Sequence, residues 1–168
     1  MANIWTLGEE AGALLKARRE RVAISESSSG GLVSAALLAV PGASVYYTAG
    51  GVVYTARALF GLLGAKKEDI TARGLRSSTE PYALFLAETV RSRVNVEWGV
   101  SETGAAGPTG NPYGDPAGHT CVAVAGTIHR SRMLRTGSDD RKGNMHAFAE
   151  EALKLFIDVL EMAPQSQG

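Results

Sequence analysis

An α/β fold, a three-layer αβα sandwich on a mixed and mainly parallel sheet, is what this sequence predicts. Three observations carry it. Short apolar segments alternate with stretches of helical spacing, polar Gly-containing turns follow two of the short segments, and a hairpin pattern precedes the last helical stretch. The 168 residues suit one domain of roughly 150 residues, so residues 1–168 read as a single unit with a frayed tail at 163–168.

Thr6-Leu7-Gly8-Glu9 has the form of a capping box, and Leu7, Ala11, Leu14 and Leu15 then recur at helical spacing. This is an opening amphipathic helix. Val22-Ala23-Ile24 reads as a strand, Ser27-Ser28-Ser29-Gly30-Gly31 as the polar turn after it, and residues 32–40 as a helix stopped by Pro41-Gly42. Residues 45–54 suit a strand with a bulge or a close backbone approach at Gly50-Gly51. A helix over 56–63 ends at Gly64, a shorter turn follows over 67–72, and Ser78-Thr79-Glu80-Pro81 starts a long helix over 80–94. Residues 96–101 return to strand character. The loop over 103–118 is rich in Gly and Pro, and loops of that length are functional or disordered. Residues 120–127 and 131–136 form a hairpin, and a last helix runs to about Glu161 with Phe148, Ala152, Leu155, Phe156 and Val159 as its apolar face.

Seventeen Lys+Arg balance seventeen Asp+Glu, so the net charge lacks the basic footprint that phosphate-backbone binding needs, which argues against a nucleic-acid partner. The single cysteine, Cys121, has no partner for an internal disulfide and reads as buried packing in a reducing compartment. The longest apolar run falls far below the roughly 20 residues that span a bilayer, and the first 20 residues lack a secretory leader pattern. The expectation is a cytoplasmic protein without a membrane partner.

Chemistry concentrates at the polar turns. Ser27 stands between a strand and a helix, where its hydroxyl projects from a turn and unpaired helical N–H groups face the same space. Such a place serves a nucleophile, an oxyanion or a phosphate, but three serines before a helix are more often a plain N-cap and turn. His119 ends the Gly-rich loop, where a neutral imidazole suits a base and also suits a hydrogen-bonded structural role. His129 and His146 fall in a hairpin turn and an early helical turn and are assigned to the surface. The three histidines show no metal-ligand spacing. Tyr46, Tyr47 and Tyr113 are candidates to line a pocket, with Tyr46 and Tyr47 alternatively split between core and surface.

Ser25-Glu26-Ser27-Ser28-Ser29-Gly30-Gly31 resembles the A-E-S-C-T-G-G motif of the CinA C-terminal domain, or nicotinamide-nucleotide amidohydrolase, family. Four further stretches are similar to that family's motifs and follow its order. They are Gly50-Gly51-Val52-Val53-Tyr54-Thr55 (G-G-V-V-T-Y-S), Thr79-Glu80-Pro81 (S-E-P), Thr103-Gly104-Ala105-Ala106-Gly107-Pro108-Thr109-Gly110 with Pro116-Ala117-Gly118 (S-G-I-A-G-P-x-G with P-V-G), and residues 137–141 (the G-D-R turn).

The resemblance implies a stand-alone form of this competence/damage-inducible domain, a metal-independent hydrolase of NAD salvage without a cofactor. It would deamidate nicotinamide mononucleotide to nicotinate mononucleotide and ammonia. Ser27 would be the nucleophile, with Tyr54 and Thr103 in the catalytic set. Ser28, Ser29, Gly30, Gly31, Gly104, Ala105 and Arg141 would hold the substrate, Arg141 through two parallel hydrogen bonds to a phosphate. The family's habit and exposed sheet edges also imply a homo-oligomer.

Two departures stand beside these agreements. The family's lysine, five residues after its tyrosine, falls on Leu59, which takes no proton. Its second arginine falls on Met145. Arg57 stays charged and is a poor base, Lys66 and Lys67 beyond Gly64 read as surface charges, and His119 is the one replacement base in view. Three readings remain open. One is an amidohydrolase of a pyridine nucleotide, and another is a nucleotide-binding or regulatory paralogue that has lost its base. The third is a hydrolase of a different amide or ester that uses Ser27 with another base.

Overall fold

The computed structural model describes residues 3–165. Helix α1 (Ile4–Arg18) leads into strand β1 (Val22–Glu26), helix α2 (Leu32–Leu38), a 3₁₀ turn at Ala43–Val45 and strand β2 (Tyr47–Val52). Short helices α3 (Ala56–Gly61) and α4 (Lys67–Arg73) precede the long α5 (Glu80–Val94). Strands β3 (Trp98–Ala105), β4 (His119–Ala125) and β5 (His129–Arg135) and the closing helix α6 (Arg141–Met162) complete the chain.

The sheet order is β2-β1-β3-β4-β5. β1 pairs in parallel with β2 and β3, whereas β3-β4 and β4-β5 are antiparallel. The sheet is therefore mixed, and only β4 runs against the other four strands. Alternation along the strands sends side chains to two layers. Val22, Ile24, Trp98, Val100, Val122 and Val124 join α1, α2 and α6 in the main core. On the other face Ala23 meets Leu59, Phe85, Leu86 and Val90, while Cys121, Ala123 and Ala125 meet Ala83 and Ala87 of α5. All five residues of the expected apolar face of α6 are buried.

Several local expectations shift. The cap of α1 is Asn3, whose side chain accepts the Thr6 N–H, so Thr6 lies inside the helix and the capping box does not form. Thr79 does cap α5, accepting from the Tyr82 N–H. The register irregularity beside β2 lies opposite Val22/Ala23 rather than at Gly50-Gly51. The close approach is there, however, because a Cβ at Gly50 would collide with the Tyr47 hydroxyl. Residues 163–165 of the expected frayed tail are tied down. Arg18 donates to the carbonyls of Leu160, Ala163 and Pro164, and the Gln165 amide donates to the Arg18 carbonyl. Residues 166–168 lie outside the described residues. Among the described residues no helix is long and apolar enough to cross a membrane.

Candidate active site

The carboxyl ends of β1, β2 and β3 meet at one edge of the sheet, because these three strands run the same way. From β1 the chain goes out to β2, and it then crosses back to β3 on the other side. The crevice between β1 and β3 is thus a topological switch point, where α/β folds collect ligands. Ser27 follows β1, Tyr54 follows β2, Thr103 and Gly104 end β3, and Arg141 begins α6 at the same edge.

These residues line two recesses that share Tyr54. A cavity of about 660 Å³ is walled by Ser27, Tyr54, Leu59, Thr103, Arg76 and Tyr113, with Phe60, Lys67, Ile70, Tyr82 and Leu86 completing its sides. Beside it lies a polar notch of about 220 Å³ formed by Ser28, Tyr54, Arg141 and the loop from Gly104 to Asn111. Arg141 closes the notch. One of its nitrogens donates to the Gly107 carbonyl at 2.5 Å, and the other donates to the Tyr54 hydroxyl at 3.1 Å. The structure thus brings Ser27, Ser28, Tyr54, Thr103, Gly104, Ala105 and Arg141 together.

Several expected placements change. The N–H groups at the start of α2 do not face a ligand, because two buried carboxylates take them. Glu26 accepts from the N–H groups of Gly31, Val33 and Ser34. Glu102 accepts from those of Ser27 and Ser29 at 3.0 and 2.9 Å. It also accepts from the Ser28 hydroxyl at 2.5 Å and the Thr120 hydroxyl at 2.8 Å. The Ser29 hydroxyl lies 2.7 Å from Glu26 and 3.0 Å from Glu102, and its single proton serves one of them. Gly30 donates to the Ser27 carbonyl. Ser29, Gly30 and Gly31 therefore build the turn and line neither recess. Gly31 is needed there for its φ of 101°.

His119 is also reassigned. It is 2 % exposed, its Nε2 donates to the Ser78 carbonyl at 2.8 Å, and its Nδ1 accepts from Arg135 Nε at 3.2 Å. Both ring nitrogens are engaged and the ring does not line the Ser27 cavity, so it holds the start of α5 instead of acting as a base. Tyr46 and Tyr47 also lie away from the cavity. Their hydroxyls donate to the Leu37 carbonyl and the Ser34 hydroxyl, and the cavity's rings are those of Tyr54, Phe60, Tyr82 and Tyr113. Burial raises the Tyr82 phenol above its ordinary value.

Sequence reasoning missed Glu102, Arg76 and Asp115, while Lys67, read as a surface charge, is exposed and also lines the cavity. Arg76 donates to Asp115 at 2.8 Å and lies over the Tyr113 ring at 5.1 Å, so it braces the Gly-rich loop against the cavity. The Arg76 hydrogen bond, aided by Asn111 and the neighbouring His119, holds the Asp115 carboxyl at about 2 against the opposing effect of its burial. Burial pushes the Cys121 thiol up to about 12, in keeping with a packing role. Leu59 is 1 % exposed and forms part of the cavity wall, where a lysine five residues after the tyrosine would reach the same space.

A family model described as CinA C-terminal domain matches residues 5–160. A CinA-like protein of Anaeromyxobacter sp. (strain K) is 42% identical over 143 residues, covering 85% of this chain and 35% of that protein. One from Desulforapulum autotrophicum is 33% identical over 149 residues, covering 88% and 35%. The chain thus spans about a third of the length of these curated relatives. Among solved structures, a competence-damaged protein (CinA) superfamily protein from Klebsiella pneumoniae superposes with a TM-score of 0.87 at 21% identity, covering 96% of this chain and 100% of that one. The competence/damage inducible protein CihA from Agrobacterium tumefaciens gives 0.85 at 26% identity, covering 96% and 97%.

Proposed function

Since the chain belongs to the CinA C-terminal domain family, we propose that it is a serine-dependent carboxamide hydrolase that deamidates nicotinamide mononucleotide to nicotinate mononucleotide and ammonia. The observation that supports this reading most is the pairing of the two recesses. A half-apolar cavity bearing a serine suits a pyridine ring and its carboxamide. The adjoining notch with Arg141 suits a phosphate, for which a guanidinium offers two parallel N–H groups. In this reading Ser27 Oγ attacks the amide carbon and ammonia leaves. Water then releases the acid. Tyr54, shared by both recesses, orients the nucleotide between them. Substrate and product are pyridine nucleotides in a cytoplasmic setting, neither nucleic acid nor membrane is a partner, and the protein works as a homo-oligomer.

A second reading, a nucleotide-binding or regulatory paralogue, is favoured by one specific observation. Leu59 presents an alkyl group to the cavity at the place of the family's base. Ammonia release from nicotinamide mononucleotide by the purified protein, set beside a binding titration with the same ligand, separates the two. Release that Ser27→Ala abolishes supports the hydrolase, and binding without release supports the paralogue.

A further inference from the structure

A pyridine ring bonded to ribose through its nitrogen is a cation, and among the described residues no carboxylate lines the Ser27 cavity to balance it. The charged residues of the cavity wall, Lys67 and Arg76, are both basic. Attraction for such a ring therefore falls to the faces of aromatic side chains, which carry negative charge density. Of the four rings in the wall, Tyr113 differs from the others in its place on the chain. It belongs to the Gly-rich loop whose residues from Gly104 to Asn111 form the neighbouring notch, so one loop meets both recesses. Tyr113 is 56 % exposed, yet its position is fixed. Asn111 Oδ1 accepts from the N–H groups of Tyr113 and Asp115 at 3.0 and 3.1 Å, and Asn111 Nδ2 donates to Asp115 Oδ2 at 2.8 Å. Arg76 donates to the same Oδ2 at 2.8 Å while its guanidinium lies over the Tyr113 ring at 5.1 Å. Asp115 also neutralises Arg76, which removes the repulsion that a bare guanidinium beside Tyr113 would exert on a second cation.

We propose that Tyr113 is a specificity residue that stacks on a cationic heteroaromatic ring in the Ser27 cavity, with Arg76 and Asp115 as the positioning residues that hold it there. This rests on the hydrolase reading above for the identity of the ligand and not for its turnover. Arg76 covers one face of the phenol ring and leaves the other for the ligand. Because the same loop supplies the backbone of the notch, the ring site and the anion site are fixed relative to each other within one short segment. The class selected is a positively charged planar ring joined to an anionic group, rather than any amide that Ser27 could reach. The phenol hydroxyl has no hydrogen-bond partner among the described residues, so the contribution of Tyr113 lies in its ring.

The test is titration calorimetry with nicotinamide mononucleotide and with its reduced form, whose dihydropyridine ring is uncharged, in a Ser27→Ala parent that prevents turnover. Tyr113→Ala should weaken the oxidised ligand by about 5- to 100-fold, the range of stacking on an aromatic side chain, and the reduced ligand by less. Tyr113→Phe should keep the parent's affinity and its preference for the oxidised ring. Arg76→Met should weaken the oxidised ligand when Tyr113 is present and add little in the Tyr113→Ala background, because its effect passes through that ring. Unchanged affinity in Tyr113→Ala, or equal losses for the two ligands, would overturn the proposal. So would a Tyr113→Phe variant as weak as Tyr113→Ala, which would make the hydroxyl the contact. Ammonia release by the wild-type chain is scored separately. Binding that depends on Tyr113 without release overturns the hydrolase reading and keeps the proposal, and release with Tyr113→Ala affinity equal to the parent's does the reverse. No binding of nicotinamide mononucleotide by either the wild type or the parent overturns both.

Discussion

The backbone N–H of Ser27 donates to Glu102 Oε2 at 3.0 Å, so the turn bearing the site's serine hangs from a carboxylate 75 residues away on the neighbouring strand. Alternation along β3 turns Glu102 toward the α2 turn and Thr103 toward α5, where Thr103 Oγ1 accepts the Ser78 N–H at 3.2 Å. One strand end thus anchors the serine's backbone on one face and walls its cavity on the other.

Glu102→Gln should therefore loosen the turn. The amide replaces one acceptor oxygen by a donor facing donors already in place, and each stranded buried donor costs about 1–3 kcal/mol. Urea unfolding should show a loss of about 2–4 kcal/mol. An unchanged midpoint would mean that the turn holds itself.

Arg141→Ala should weaken binding of nicotinamide mononucleotide at least tenfold, about 1.4 kcal/mol, since it removes the guanidinium that closes the notch. Arg141→Lys should recover little of this, because an ammonium cannot bridge Gly107 and Tyr54 as a planar fork does. Titration calorimetry reads both variants. Affinity equal to wild type in Arg141→Ala would remove the notch from the ligand site.

Acid should release the Gly-rich loop. The Asp115 carboxyl is lowered from 3.8 to about 2 in the folded chain, so its contribution to stability is fully present above 3.8 and is lost as pH falls toward 2. Asp115→Asn should flatten that acid limb in thermal melts recorded between pH 5 and 2. If wild type and variant follow parallel pH curves, the bridge to Arg76 contributes no pH dependence.

Cys121 should resist thiol reagents in the native state. It is 2 % exposed and its thiol is pushed up to about 12 by burial, which keeps the reactive thiolate scarce. Labelling with a disulfide reagent should follow global unfolding in denaturant. Stoichiometric reaction within seconds under native conditions would show that the β4 face opens.

Much of this protein is determined locally by its sequence. The span of α5 follows from Thr79 as cap and Pro81 in the first turn, and the buried face of α6 follows from its helical spacing. The place of Ser27 after a strand was likewise legible, because turn chemistry and hydrophobic period depend on residues only a few positions apart, whereas Tyr54 and Arg141 were singled out by the resemblance. The tertiary structure decided what those local signals leave open. Sheet register set Glu102 against the α2 turn, so the helix N–H groups that invite an anion are already occupied by the chain's own carboxylates. It also placed His119 between Ser78 and Arg135, and carried Lys67, which reads in the sequence as a surface charge, into the wall of the Ser27 cavity. Those pairings join residues 16 to 75 positions apart, and which of them form is decided by strand order and packing rather than by local propensity.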